Sequence, residues 1–403
     1  MRVGIDLQGL QSEGSRTRGI GRYSLEIIRN LIRVSPNHDF ILIANGSLVN
    51  LEIQFKSELT LDNVSYFEWS SPCPFDYISS NDTLSELACF IKSYACSCLH
   101  LDIAIITSFF EGFSDNCLTE FNYDLINFKV LSIFYDLIPF LNPNLYFDGN
   151  LEFERFYLSK LKQIEKVDGL LAISESSAYE AQEHLSFNRS FVFNISSACD
   201  KKIFNISRKI INSDAIKSIL DEPFLLYTGA GDSRKNLKVL LQAYSLLPQK
   251  LKYFNLILSG KLMKPEIELI DQWIKSYGID SNKVILTGYI SDDDLVGLYR
   301  NCSLFIFPSL HEGFGLPVLE AMSCGAPVIG SKTTSIPEVI GKFEAMFDPC
   351  DPEHIKNLIQ KVLVNKQFRE ELVINSQLQS EKFSWTKTAE AAMDACEKIV
   401  EVD

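Results

Sequence analysis

No long hydrophobic run occurs in this 403-residue chain: its most apolar stretches, residues 101–110 and 130–141, span about ten residues and each carries an Asp. A membrane-spanning helix needs about twenty, so no transmembrane segment is expected. The opening Met1-Arg2-Val3-Gly4-Ile5-Asp6 has the pattern of a buried strand rather than a signal peptide, which points to a cytoplasmic chain. Basic charge is also short, with 38 Lys and Arg against 52 Asp and Glu, a net −14. That balance excludes a general nucleic-acid binder. Metal-ligand spacing is missing as well. None of the ten cysteines forms a C-x-x-C pair, Cys96-Ser97-Cys98 is too tight, and the five histidines show no ligand pattern. The cysteines therefore read as reduced core thiols, with neither disulfides nor a structural metal expected. With only 20 Gly and 14 Pro, collagen-like and low-complexity chains are excluded too.

The charge that is present is uneven. Residues 1–35 hold six arginines (2, 16, 18, 22, 29 and 33) against three acids, whereas residues 36–125 hold only Lys56 and Lys92 against thirteen. A basic cluster in an acidic protein suggests an anionic small ligand or a phosphate-bearing acceptor, and a solvated helix face is the alternative.

Short apolar runs alternate with helical periodicity. Strands are predicted at 3–7, 40–43, 103–107, 130–134, 169–173 and 191–194, with helices at 20–34, 84–99, 151–167 and 175–185 among them. Continuously apolar strands separated by helices argue for a parallel sheet covered on both faces. The pattern breaks at 200–222 and restarts with strands at 224–227, 256–258, 284–286, 304–307 and 327–329, followed by terminal helices over 351–380 and 385–400. The expected organisation is α/β, with Rossmann-like domains at 1–205 and 206–384. Residues 385–403 form a C-terminal helix that caps the second domain or crosses back to the first. Two such domains place ligands in a cleft at the carboxyl ends of their strands.

Four segments could carry chemistry. The most informative is His311-Glu312-Gly313-Phe314-Gly315-Leu316-Pro317-Val318-Leu319-Glu320, between a predicted strand and a helix. Its two glutamates flank glycines whose backbone N–H groups lie open at a helix N-terminus, a pairing that suits hydroxyls joined to a diphosphate. Next, Gly229-Ala230-Gly231-Asp232-Ser233-Arg234-Lys235 also follows a strand. Arg234 stands where a dinucleotide fold needs its third glycine, which disfavours NAD, while Arg and Lys suit a pyrophosphate. The third, Ser15-Arg16-Thr17-Arg18-Gly19-Ile20-Gly21, opens the first helix and could approach phosphates or acceptor, or could be simple turn chemistry. The fourth, Tyr135-Asp136-Leu137-Ile138-Pro139, ends a strand with a carboxylate that either faces ligand or satisfies a turn; Glu111-Gly112-Phe113 is similar. Asp292-Asp293-Asp294 resembles a metal-diphosphate motif, but Ser291 as N-cap before a helix explains it.

Together these residues resemble the retaining GT-B glycosyltransferases of family four, over nearly the whole chain. The most specific element is the pair of glutamates eight apart in EGFGLPVLEAM, preceded by GDSRKNL. DLQGLQ, SRTRGIGRYS, YDLIP and LAISE look like a subgroup of bacterial polysaccharide assembly, many of them mannosyltransferases with several units in one polypeptide. The 403 residues would make one such unit. The resemblance implies that Arg234 and Lys235 hold the donor diphosphate and that Glu320 binds the ribose. Glu312 would then contact the sugar with Gly313, Phe314, Gly315 and Leu316 beside it, Gly231 near the diphosphate, Gly288-Tyr289-Ile290 framing the base, and Gly21 near phosphates or acceptor. Many members carry His-Asp where this chain has Tyr135-Asp136; Asp136 matches. The implied reaction moves a hexose, with mannose from GDP-mannose the leading case, onto a glycan or lipid-linked glycan of a surface polysaccharide such as O-antigen, without a metal cofactor, and a lipid-linked acceptor would bring peripheral membrane contact. A UDP- or other NDP-sugar donor, a non-catalytic glycan-binding unit of a larger assembly and a nucleotide-dependent oxidoreductase are the alternatives.

Overall fold

The computed structural model describes residues 1–52, 55, 62–71, 77, 82–207 and 213–402. Cys73 and Lys56, and residues 208–212 of the expected junction, lie outside them. The chain forms two compact units, one of Met1–Ser197 with Trp385–Asp403, the other of Ala198–Ser384.

The first unit is built on a parallel sheet of seven strands: β1 (Arg2–Asp6), β2 (Asp39–Asn45), β3 (Val64–Trp69), β4 (Ile103–Ile106), β5 (Lys129–Phe134), β6 (Gly169–Ala172) and β7 (Val192–Asn194). Their order is β3-β2-β1-β4-β5-β6-β7. β4 reads as an unbroken apolar run, and β1 as Val3-Gly4-Ile5 between Arg2 and Asp6, because both faces are covered: Val3, Ile5, Ile103 and Ile105 are fully buried. The order reverses at β1, which pairs β2 on one edge and β4 on the other, Ile5 facing both Leu42 and Ile105. The helix Gly19–Val34 buries Ile27, Ile28 and Leu31 and packs against the helix Trp385–Glu401. Tyr23 on the former meets Trp385 edge to face, ring centres 5.0 Å apart.

The second unit is a parallel sheet of six strands: β8 (Phe224–Thr228), β9 (Asn255–Ser259), β10 (Val284–Gly288), β11 (Leu304–Phe307), β12 (Val328–Ser331) and β13 (Met346–Phe347). Its order, β10-β9-β8-β11-β12-β13, reverses between β8 and β11. The carboxyl ends of those two strands therefore flank the point where this architecture opens a crevice. Both units are Rossmann-like α/β layers, the GT-B pattern that the sequence predicts.

Three elements differ from expectation. β3 was not anticipated: in Val64–Trp69 only Trp69 is fully buried, as befits an edge strand with a weak apolar signal. β13 has only two residues, too short for a periodicity to register. The helical stretch predicted over 351–380 is two helices, Pro352–Val364 and Lys366–Ser380. Asn365 ends the first and caps the second, its side chain accepting from the Phe368 N–H at 3.0 Å.

Candidate active site

At the end of β8 the chain turns through Gly229–Asp232 into a short 3-10 turn, Ser233–Lys235, before the helix Leu237–Ser245. Asp232 Oδ1 accepts from the Arg234 N–H at 2.9 Å and shapes the turn. Asn236 then adopts a left-handed φ of 61°, which Asn tolerates better than most residues. Its buried amide donates to Pro308 O at 3.1 Å and Pro349 O at 2.7 Å. The loop after β8 is thereby tied to those after β11 and β13, and Arg234 and Lys235 are aimed across the switch point.

They meet Glu312. Lys235 Nζ lies 2.6 Å from Glu312 Oε1 and Arg234 Nη1 lies 2.9 Å from Oε2. Arg234 Nη1 also donates to His311 O at 2.9 Å, with Asp232 Oδ2 3.8 Å from Nε. Lys235 and Glu312 are both buried. Burial pushes the Glu312 carboxyl up, but Lys235 and Arg234 outweigh it and hold its pKa at about 2. Burial lowers the pKa of Lys235, which Glu312 opposes and the neighbouring Arg234 reinforces. The carboxylate gains from two cations, while the lysine gains from Glu312 and more weakly from Asp232 but is repelled by Arg234. Glu312 is therefore the firmly ionised member.

Glu312 is also held through its main chain, and sequence reasoning missed the residues that hold it. Its N–H donates to Thr334 Oγ1 at 3.1 Å and its carbonyl accepts from Ser335 Oγ at 2.9 Å. Thr334 sits at φ 49°, a left-handed conformation that a β-branched residue rarely adopts. The available signal was Thr333-Thr334-Ser335, three hydroxyls one residue beyond the end of β12.

Beyond Glu312 the chain runs through buried Gly313, Phe314 and Gly315 into the helix Leu316–Ser323. Gly315 has φ 100°, and a Cβ there would stand 2.6 Å from Ile336 Cδ1. Only glycine fits this turn, which brings the N–H groups of the helix's first turn to the end of β11. Half-buried Glu320 lies one turn inside that helix; its Oε2 accepts from the hydroxyl of fully buried Tyr299 at 3.1 Å. Tyr299 in turn lies 2.9 Å from Thr228 Oγ1, the last residue of β8. Sequence reasoning missed Tyr299 as well, because an apolar-face tyrosine on a helix reads as core.

The remaining predicted residues of this unit lie at the same end of the sheet. Gly231 packs under Glu266, where a Cβ would come within 2.6 Å of Cδ. Gly288 closes β10 with φ 67°, followed by Tyr289, which is 78% exposed, and half-buried Ile290. Asp292-Asp293-Asp294 forms the first turn of the helix Asp292–Asn301, with Ser291 Oγ accepting from the Asp294 N–H at 3.1 Å. Asp294 also accepts from the Ser213 N–H at 2.7 Å, a structural use of the acid.

Asp136 and Gly21 belong to the other unit. Asp136, just after β5, accepts from the Ile138 N–H at 3.0 Å. Gly21 is buried, and a Cβ there would collide with the main chain of Arg16. Glu111 is buried and accepts from Ser15 Oγ and, at 2.8 Å, from Ser108 Oγ. Arg16, Arg18, Arg22 and Arg33 are exposed, while Arg29 pairs with Glu26 at 2.6 Å. Lys92, one of two lysines in the acidic stretch, is fully buried against Asp6 at 2.8 Å.

Residues 209–379 match the glycosyl transferases group 1 family. The whole chain is 37% identical to the serotype-specific mannosyltransferase WbdA of Escherichia coli, covering 48% of that protein. It thus spans about half the length of these curated relatives, 48% of one and 46% of another. Among solved structures, Anabaena HepE in complex with UDP and glucose superposes with a TM-score of 0.68 at 14% identity, over 99% of this chain and 100% of that one. A sucrose-phosphate synthase from Thermosynechococcus elongatus does so with a TM-score of 0.69 at 17% identity, over 100% of each chain.

Proposed function

The chain belongs, through residues 209–379, to the glycosyl transferases group 1 family, and on that premise we propose that it is a retaining glycosyltransferase moving mannose from GDP-mannose onto a growing surface polysaccharide. The observation that carries this reading is the Arg234–Lys235–Glu312 cluster beside the Leu316–Ser323 helix N-terminus, at the switch point of the second sheet. Two fixed cations and a helix N-terminus are what a departing diphosphate requires. Similarity across this chain to part of a serotype-specific mannosyltransferase supports the sugar, and similarity over 43% of it to an O-antigen chain mannosyltransferase of Escherichia coli supports the polysaccharide setting.

In the proposed reaction the bond from sugar C1 to the diphosphate oxygen breaks as the acceptor hydroxyl oxygen bonds to C1 on the same face. The hydroxyl proton passes to the departing phosphate oxygen. Arg234 and Lys235 stabilise the charge growing on that oxygen, so the chain's own cations do what a metal does elsewhere. Glu312 orients both cations and accepts from sugar hydroxyls. Glu320 takes the ribose, Gly231 leaves room for the diphosphate, and Gly288, Tyr289 and Ile290 frame the base. Asp136 is assigned to the catalytic set, and Gly21 to the donor phosphates or the acceptor. The acceptor is a glycan or lipid-linked glycan, and a lipid-linked one brings the chain to a membrane surface at its periphery; among the described residues no helix is long and apolar enough to cross one.

A thermal-shift panel with GDP, UDP, ADP, GDP-mannose, UDP-glucose and NAD tests the donor. A ligand at about a hundred times its dissociation constant adds about 2.7 kcal/mol of stability. Shifts confined to GDP and GDP-mannose, followed by release of GDP in the presence of mannosides, are expected. A shift with UDP compounds alone would remove GDP-mannose, and no shift at all would remove the transferase reading.

A further inference from the structure

The hydroxyl of Tyr299 is buried in a setting that does not need it for packing. Its ring is fully enclosed, meeting Phe305 edge to face at 5.5 Å and Phe204 at 6.2 Å, contacts that a phenylalanine would make equally well. A hydroxyl buried there costs desolvation unless it is hydrogen-bonded. It has two partners, Glu320 Oε2 at 3.1 Å and Thr228 Oγ1 at 2.9 Å.

An ionised carboxylate only accepts, so the single Tyr299 proton points to Glu320 and the Thr228 hydroxyl donates to the tyrosine oxygen. The chain of hydrogen bonds therefore has one direction, from the last residue of β8 through the helix Asp292–Asn301 to the helix Leu316–Ser323. It begins at a rigid strand end and finishes on a half-buried glutamate with several rotatable bonds. Immobilising such a side chain when ligand binds costs rotamer entropy, and fixing it beforehand avoids that cost.

We propose that Tyr299 is a positioning residue for the nucleotide, its hydroxyl fixing the Glu320 carboxylate in the orientation that receives the ribose hydroxyls. The proposal rests on the donor-binding reading above. It adds that ribose recognition is preorganised from β8, through a residue that touches no ligand.

The test is calorimetric binding of GDP and 2′,3′-dideoxy-GDP to the purified wild type, to Tyr299→Phe, and to Thr228→Val/Tyr299→Phe, which removes the hydroxyl left without its partner. Wild type is expected to prefer GDP. Tyr299→Phe should weaken GDP about tenfold, the scale of one charge-assisted hydrogen bond, while the dideoxy analogue binds unchanged. The double variant, with its buried pair replaced together, should show the same selective loss. Equal weakening of both ligands marks a merely structural role and overturns the proposal, as does full ribose discrimination retained in Tyr299→Phe. A wild type that binds both ligands equally overturns the assignment of Glu320 itself and the proposal with it, whereas one that binds neither removes GDP as the donor nucleotide and so the donor reading on which the proposal rests.

Discussion

Lys235 Nζ lies 2.6 Å from Glu312 Oε1, both groups are buried, and Arg234 holds the other oxygen of the same carboxylate at 2.9 Å. Each cation that would grip a diphosphate is thus positioned by the glutamate that would contact the sugar. Lys235→Ala removes one partner of a buried pair, which costs about 3 kcal/mol or more where nothing compensates; Arg234 limits the loss here. The variant should unfold at lower urea concentration than wild type and should release GDP from GDP-mannose at least a hundredfold more slowly. Lys235→Ala/Glu312→Gln should recover much of the stability and none of the turnover. Wild-type turnover in the folded double variant would remove Lys235 from the site.

The pH dependence follows from the same cluster. A carboxylate held at about 2 in the folded chain, against an ordinary value of 4.5, contributes stability that is fully present above about pH 4.5. It is lost as pH falls from there to about 2, and a shift of this size corresponds to about 3 kcal/mol. Wild type should therefore be more stable than Glu312→Gln at pH 7, with the gap closing towards pH 3. Urea unfolding at the two pH values reads the difference. A constant gap would mean that Glu312 is not ionised by its neighbours.

The parts of this arrangement that sequence reveals are those with a local signature. Glu312 and Glu320 stand out by their spacing around glycines, and Arg234-Lys235 by following a strand where a third glycine is absent. Strands with both faces buried, such as β4, are visible as apolar runs, while the edge strand β3 is not. What stays hidden depends on contacts between distant segments. Nothing local marks Thr334 as the partner of Glu312 or Tyr299 as the partner of Glu320, since each contact joins residues about twenty positions apart. Lys92 makes the same point: counted as a surface charge it is ordinary, yet it pairs with Asp6 across 86 positions of chain in a fully buried site.

Gly315→Ala tests whether the turn into the Leu316–Ser323 helix is compulsory. A Cβ at φ 100° is strained in itself and meets Ile336 Cδ1 at 2.6 Å. Left-handed backbone strain costs about 1–3 kcal/mol in a non-glycine residue. The expected outcome is a loss of that size in urea unfolding, with nucleotide affinity falling as the helix start shifts. Unchanged nucleotide affinity would separate this helix end from the donor.

Thr334 combines strain with a hydrogen bond, and the two can be pulled apart. Its φ of 49° is unfavourable for a β-branched residue, yet its Oγ1 accepts from the Glu312 N–H at 3.1 Å. Thr334→Val keeps the strain and leaves that N–H unpaired, so it should destabilise the chain by about 1–3 kcal/mol. Thr334→Gly loses the same bond and costs backbone entropy but releases the strain, so its stability should lie near wild type. Both variants free the Glu312 main chain on one side, so both should turn over more slowly, whatever their stability. Thr334→Ser, which keeps the hydroxyl, should retain most of the activity. If Thr334→Val proves as stable and as active as wild type, the hydroxyl contributes nothing to holding Glu312, and Ser335 alone, donating to its carbonyl at 2.9 Å, does so.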